Sequence, residues 1–146
     1  MDFYGFYTGK IFDAYKYLGA HVEEKGVTFR TFAPSASRIT LIGEFNDWQE
    51  WEMNKVSDGN FWECYVPQAK SGQMYKYKIY DRNGNPVDHC DPYGFGMELR
   101  PGSASIIRDM SKYKFKDSQW LQSRSDCRKK PLNIYEIHFE IGRAHV

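Results

Sequence analysis

The sequence predicts an all-β protein built as an antiparallel β-sandwich, and three observations lead there. Four short runs, Val27–Ala33, Arg38–Ile42, Phe61–Val66 and Gln73–Tyr80, carry alternating side chains that suit strands with one face in a core. Turn-forming clusters separate them, among them Pro34-Ser35-Ala36-Ser37 and Ser57-Asp58-Gly59-Asn60. An Asn-Gly pair, Asn83-Gly84, closes the series with a hairpin signal. Strands and turn clusters at this spacing indicate a sandwich.

Composition narrows the class. The chain has 146 residues, 20 basic and 19 acidic, for a formal charge of +1. That balance provides no field to draw in nucleic acid or an anionic membrane. Aromatic residues make up 17%, with 11 Tyr, 10 Phe and 4 Trp, whose flat faces suit sugar rings, bases or a small sandwich core. Cys64, Cys90 and Cys127 form no C-x-x-C pair and are read as reduced thiols of a cytoplasmic protein. No apolar run reaches the ~20 residues of a membrane span, and no signal-peptide pattern opens the chain.

Met1 to Ala20 is aromatic and irregular except at Ile11–Leu18, where Phe12, Tyr15 and Leu18 fall three apart on one face of a short helix. Gly19 is placed to end that helix. His21 has no second ligand at zinc spacing and is read as a hydrogen-bonded structural histidine. In the first strand Val27, Phe29, Thr31 and Ala33 share a face, opposed by Thr28, Arg30 and Phe32; Pro34 closes it. The second strand runs into Gly43-Glu44-Phe45-Asn46-Asp47-Trp48, where Asn46 and Asp47 can bond their own backbone and leave Trp48 at a loop tip. Phe61–Val66 sets Trp62, Cys64 and Val66 against Phe61, Glu63 and Tyr65, with Trp62 read as core or interface. In Gln73–Tyr80, Tyr75, Tyr77 and Ile79 oppose Met74, Lys76, Lys78 and Tyr80. His89-Cys90-Asp91 imitates a metal site, but adjacent ligands cannot easily share one tetrahedral ion; no metal or other cofactor is expected, and Asp91 is read as capping a rigid turn before Pro92. Asp117 is a candidate N-cap for a helical turn at Trp120, which anchors a polar linker, and Arg128, Lys129 and Lys130 read as its solvated face.

The run Phe32-Ala33-Pro34 through Gly43, Phe45-Asn46 and Trp48 resembles the "FxAPxAxxVxxxGxFNxW" of the β-sandwich module that precedes the catalytic barrel in glycogen branching enzymes and related α-amylase-family proteins. Leu18-Gly19-Ala20-His21, Asp91-Pro92-Tyr93-Gly94, Arg100 to Ile107, and Ile134-Tyr135-Glu136-Ile137-His138 resemble further motifs of that family, in order. The resemblance implies an immunoglobulin-like fold of carbohydrate-binding-module type over residues 22–108, after an N-terminal segment at 1–21. A linker at 109–131 then leads to the orphan first strand of a (β/α)8 barrel at 132–139. Residues 140–146 depart from the family; Ile141 to Val146 is what a common sequencing adapter encodes, so Glu140–Val146 is expected to be adapter read-through.

The implied activity is transfer of an α-1,4-glucan segment to a 6-hydroxyl. In this retaining chemistry one carboxylate attacks while a second, ~5 Å away, serves as acid and then base. In this family those carboxylates lie on later barrel strands. No residue here, Glu136 included, is expected to be catalytic. What the resemblance leaves is glucan binding: Trp48 corresponds to the tryptophan of "FNxW", Lys76 to the lysine of the "YKY/F" strand, and Asn46 is a candidate for bonding sugar hydroxyls. The expected partners are α-glucan (glycogen) and the catalytic barrel, with neither nucleic acid nor membrane. A second stacking tryptophan, expected between Asp81 and Pro86, is missing. Two alternatives remain at this point. One is a regulatory glycogen-targeting module; the other, which the charge disfavours, is a single-strand nucleic-acid platform on Met74 to Tyr80.

Overall fold

A computed structural model describes residues 1–126, 131 and 133–136. These divide into two compact units, Met1–Met110 and a second that begins at Ser111.

The first unit is a two-sheet sandwich. One sheet has the order β1-β2-β6-β5, from β1 (Gly19–Glu23), β2 (Gly26–Phe32), β5 (Asn54–Val56) and β6 (Phe61–Val66). The other has the order β4-β3-β7-β8, from β3 (Arg38–Gly43), β4 (Trp51–Glu52), β7 (Met74–Tyr80) and β8 (Pro86–His89), with β9 (Ser105–Ile106) also on β7. All pairings are antiparallel. The four strands expected from alternation are β2, β3, β6 and β7, within a residue at each end. Their inward sets fill the space between the sheets: Val27 and Phe29, Ile39 and Leu41, Trp62 with Cys64 and Val66, Tyr75 and Tyr77. Trp62 is a core residue whose Nε1 donates to the Ala33 carbonyl at 3.2 Å, so its one polar atom is satisfied.

The helix expected at Ile11–Leu18 is not formed. That stretch holds a single 3-10 turn, Ala14–Lys16, and Phe12 projects into solvent. The spacing reflected one turn's worth of residues, too few to sustain a helix without a packed face. Gly19 ends no helix; with φ at +102° it opens β1 where the Tyr93 carbonyl passes 2.7 Å from where a Cβ would stand. The helix forms earlier, as α1 (Phe3–Tyr7), capped by Asp2 through a 2.9 Å bond from the Gly5 amide. Its Phe3 and Phe6 lie edge-on to Phe61, at 4.9 and 5.4 Å between centroids, and Phe6 also meets Phe32 at 5.0 Å. Phe32 and Phe61 are cross-strand partners on the outer face of their sheet, and this segment buries Phe61 completely.

In the second unit, α2 (Ser118–Ser123) starts at Asp117, whose carbonyl accepts from the Leu121 amide while its side chain makes no cap bond. Trp120 is exposed rather than anchored. Ile134 and Tyr135 belong to no strand and are exposed; a barrel strand needs neighbours to pair with, and none of the described residues supplies them. Cys127, the basic run 128–130, and the remainder of the expected barrel strand and adapter segment (132 and 137–146) lie outside the described residues.

Candidate functional site

The loop after β3 places Trp48. Gly43, the last residue of the strand, has no room for a side chain: the Met74 carbonyl and the Phe45 ring lie 2.6 and 2.7 Å from a would-be Cβ. A 3-10 turn, Glu44–Asn46, follows; then Asp47 and Trp48 adopt left-handed backbone at φ +52° and +58°. Two successive non-glycine residues there cost on the order of 1–3 kcal/mol each and persist where surrounding bonds hold them. Those bonds are present. Asn46 Oδ1 accepts from the Gly43 amide at 2.9 Å, and its Nδ2 donates to the carbonyls of Leu41 and Gln49 at 3.2 and 2.7 Å. The Trp48 amide donates to the Gly43 carbonyl at 2.9 Å, and the Met74 amide to Glu44 Oε2 at 2.7 Å. Asn46 thus spends both amide hydrogens on the turn, and the indole of Trp48, 41% exposed, projects from a braced loop.

Lys76 lies opposite Ile42 on the neighbouring strand, one residue before the Gly43 that starts the Trp48 loop, so both belong to the same end of the sheet. Its Nζ donates to Ser103 Oγ at 2.9 Å, which draws in the loop leading to β9. Between Asp81 and Pro86 no ring is available. The Asp81 carboxylate instead accepts from the amides of Asn83 and Asn85 at 2.8 and 2.9 Å.

Two polar hubs flank this region and were not visible in the sequence. Glu50 lies over the outer face of the same sheet and accepts from the Tyr80 hydroxyl at 2.8–2.9 Å and from Thr40 at 3.2 Å. It pairs with Arg38 and Lys78 at 3.2 and 3.4 Å, and the Tyr80 bond is the main reason its pKa lies below the ordinary value. Asp91, 3% exposed, caps its turn through the Tyr93 amide at 2.8 Å, as its motif suggested. It also accepts from the hydroxyls of Tyr75 and Tyr77 at 2.6 and 3.1 Å, while its amide donates to Ser105 Oγ at 2.7 Å. Burial pushes its pKa up and pushes both phenols well above their usual range, so the tyrosines remain donors. Finding it needed three residues distant in sequence. His21 bonds the Leu18 carbonyl at 3.0 Å, the structural role expected of it; His89 and Cys90 are exposed.

A small two-sheet antiparallel sandwich with a tryptophan held out on a braced loop has the form of a carbohydrate-binding module. Residues 17–94 match the model of carbohydrate-binding module 48, the isoamylase N-terminal domain. The chain belongs to that family. It is 39% identical over 141 residues to the 1,4-alpha-glucan branching enzyme GlgB of Fusobacterium nucleatum, covering 94% of this chain and 23% of the relative. It is 40% identical over 140 residues to that of Dechloromonas aromatica, covering 92% and 22%. The chain therefore spans less than a quarter of these relatives' length. Among solved structures it shares the fold of an Anoxybacillus pullulanase complexed with maltotetraose (TM-score 0.59, 23% identity, 72% of this chain and 15% of that one). It likewise resembles PulA of Klebsiella pneumoniae (TM-score 0.57, 22% identity, 68% and 10%).

Proposed function

We propose that the chain is the N-terminal module of a cytoplasmic 1,4-alpha-glucan branching enzyme and that it binds α-glucan through Trp48 and Lys76. The observation that carries the binding role is the braced, half-exposed Trp48: a large apolar ring held away from the core on strained backbone is poised for a sugar face. Lys76 supplies a charged donor for hydroxyls at the same end of the sheet. Asn46, with its amide hydrogens committed, serves the site chiefly by fixing the loop. The similarity to branching enzymes over more than nine-tenths of the chain carries the parent activity. The two carboxylates of a retaining transfer belong to the portion those relatives carry beyond this module. Within the parent, the sandwich docks the barrel and delivers glucan to it.

Affinity electrophoresis of the whole chain in gels with and without glycogen tests the binding role. Glycogen should retard the wild type. Trp48→Ala should weaken binding about tenfold, the ~1.4 kcal/mol expected of an anchoring ring. Equal retardation of both proteins would refute the role of Trp48.

A further inference from the structure

The Trp48 loop leaves β3 at Gly43 and re-enters the same sheet at β4, where Trp51 and Glu52 pair with Leu41 and Thr40. Just before that return stands Glu50, two residues beyond the left-handed Trp48. Its carboxylate meets four side chains at once. The Tyr80 hydroxyl donates to its two oxygens at 2.9 and 2.8 Å and Thr40 at 3.2 Å, while Arg38 and Lys78 pair with it at 3.2 and 3.4 Å. These four form two successive cross-strand pairs on one face of the sheet, Arg38 with Tyr80 and Thr40 with Lys78. The next pair along that face is Ile42 with Lys76. Arg38 also lies over the Tyr80 ring, 4.6 Å from its centroid, and pairs with Glu52.

β3 and β7 have no need of this cluster to stay together, because six cross-strand pairs already join them. Glu50 comes from outside those strands, so what the cluster holds is the returning arm of the Trp48 loop. Asn46 fixes the outgoing arm through Gly43, Leu41 and Gln49. The strained residues Asp47 and Trp48 lie between these two anchors, and such backbone persists where its surroundings over-determine it. An isolated surface ion pair would hold little, but here two hydroxyls and two cations converge on one carboxylate whose side chain is 32% exposed. We infer that Glu50 is a positioning residue for Trp48: it fixes the ring at the angle in which it meets its ligand. The inference rests on the glucan-binding reading above and assigns a residue that touches no sugar to that site.

A double-mutant cycle in glycogen gels tests it, with the whole chain, Glu50→Ala, Trp48→Ala and the double variant. Glu50→Ala should weaken retardation about fivefold in the wild type and change nothing in Trp48→Ala, because Glu50 acts through that ring. Should Glu50→Ala fail to fold, Glu50→Gln, which keeps the length and an acceptor for Tyr80, takes its place with a loss of about twofold. In ¹⁵N-labelled samples the Trp48 indole signal is the one missing from Trp48→Ala. Its heteronuclear NOE, a measure of fast motion, should fall in Glu50→Ala, while that of Trp62, buried and bonded to Ala33, stays in place. An equal loss of binding in both backgrounds would make Glu50 a general support of the fold and overturn the inference. Unchanged retardation of Glu50→Ala beside a retarded wild type would overturn it too and leave the glucan-binding reading intact. A wild type that runs unretarded would overturn that reading instead, and an unchanged Trp48 NOE would then overturn the positioning role as well.

Discussion

Replacing Asp91 with alanine should cost this fold about 2–4 kcal/mol. The carboxylate accepts three hydrogen bonds, from the Tyr75 and Tyr77 hydroxyls and the Tyr93 amide. Both tyrosines are completely buried, and each donor stranded without an acceptor costs about 1–3 kcal/mol. The Tyr93 amide is less deeply placed and adds little. Against this, removing the carboxylate recovers the desolvation penalty that raises its pKa, so the net falls below the simple sum. Urea unfolding followed by tryptophan fluorescence would show a midpoint lowered by roughly 1–3 M. The decisive comparison places the same change in a Tyr75→Phe/Tyr77→Phe background. With no hydroxyls to strand, Asp91→Ala should there be close to neutral or stabilising. Acid adds a further check. A carboxyl whose folded pKa is raised contributes most when protonated, below its ordinary 3.8, and that contribution is lost as pH rises through the higher folded value. The gap between wild type and Asp91→Ala should therefore narrow from acid to neutral pH. A cost below 1 kcal/mol, or an equal cost in both backgrounds, would refute the argument.

Cys64 and Cys90 should differ sharply in reactivity. Burial pushes the Cys64 thiol from its ordinary 9.0 up to about 11, which leaves about a hundredth of the ordinary thiolate at pH 8, whereas Cys90 is exposed. Ellman's reagent followed by peptide mapping should label Cys90 at once and Cys64 only after unfolding; equal rates in the native chain would contradict the placement. Phe6→Ala should strip the cover from Phe61 and cost about 2–3 kcal/mol, lowering the melting temperature by roughly 10 °C. A change under about 2 °C in circular dichroism melts would mean that α1 contributes little to the sandwich.

The strands that alternation revealed, β2, β3, β6 and β7, are the ones with long inward faces, because that requirement writes itself into every second residue. β1, β8 and β9 carry two to five residues each, and β8 is exposed throughout, so pairing rather than patterning defines them. The aromatic helix α1 escaped notice for a related reason: five residues containing a glycine have little intrinsic helicity, and Phe32 and Phe61 hold it in place. Of the candidate site, the Trp48 loop was legible because its turn chemistry is local. The bonds that give Asn46 its bracing role lie within five residues, although which groups it would engage was not apparent. The Glu50 and Asp91 hubs join groups 10 to 30 residues apart, beyond the reach of any local pattern.

The last strand has a practical consequence for anyone wishing to isolate the module. The family match spans residues 17–94, a natural place to cut. A polypeptide trimmed to those bounds would lack Ala104, Ser105 and Ile107, all buried, and the bonds by which Ile107 exchanges with Gly72 and Gln73. It would also lack the hydroxyl that receives the Asp91 amide and the aromatic cover over Phe61. The stretch matched by the family model is thus shorter than the compact unit it belongs to, which runs from Met1 to Met110. Excision and grafting should follow the second boundary, not the first.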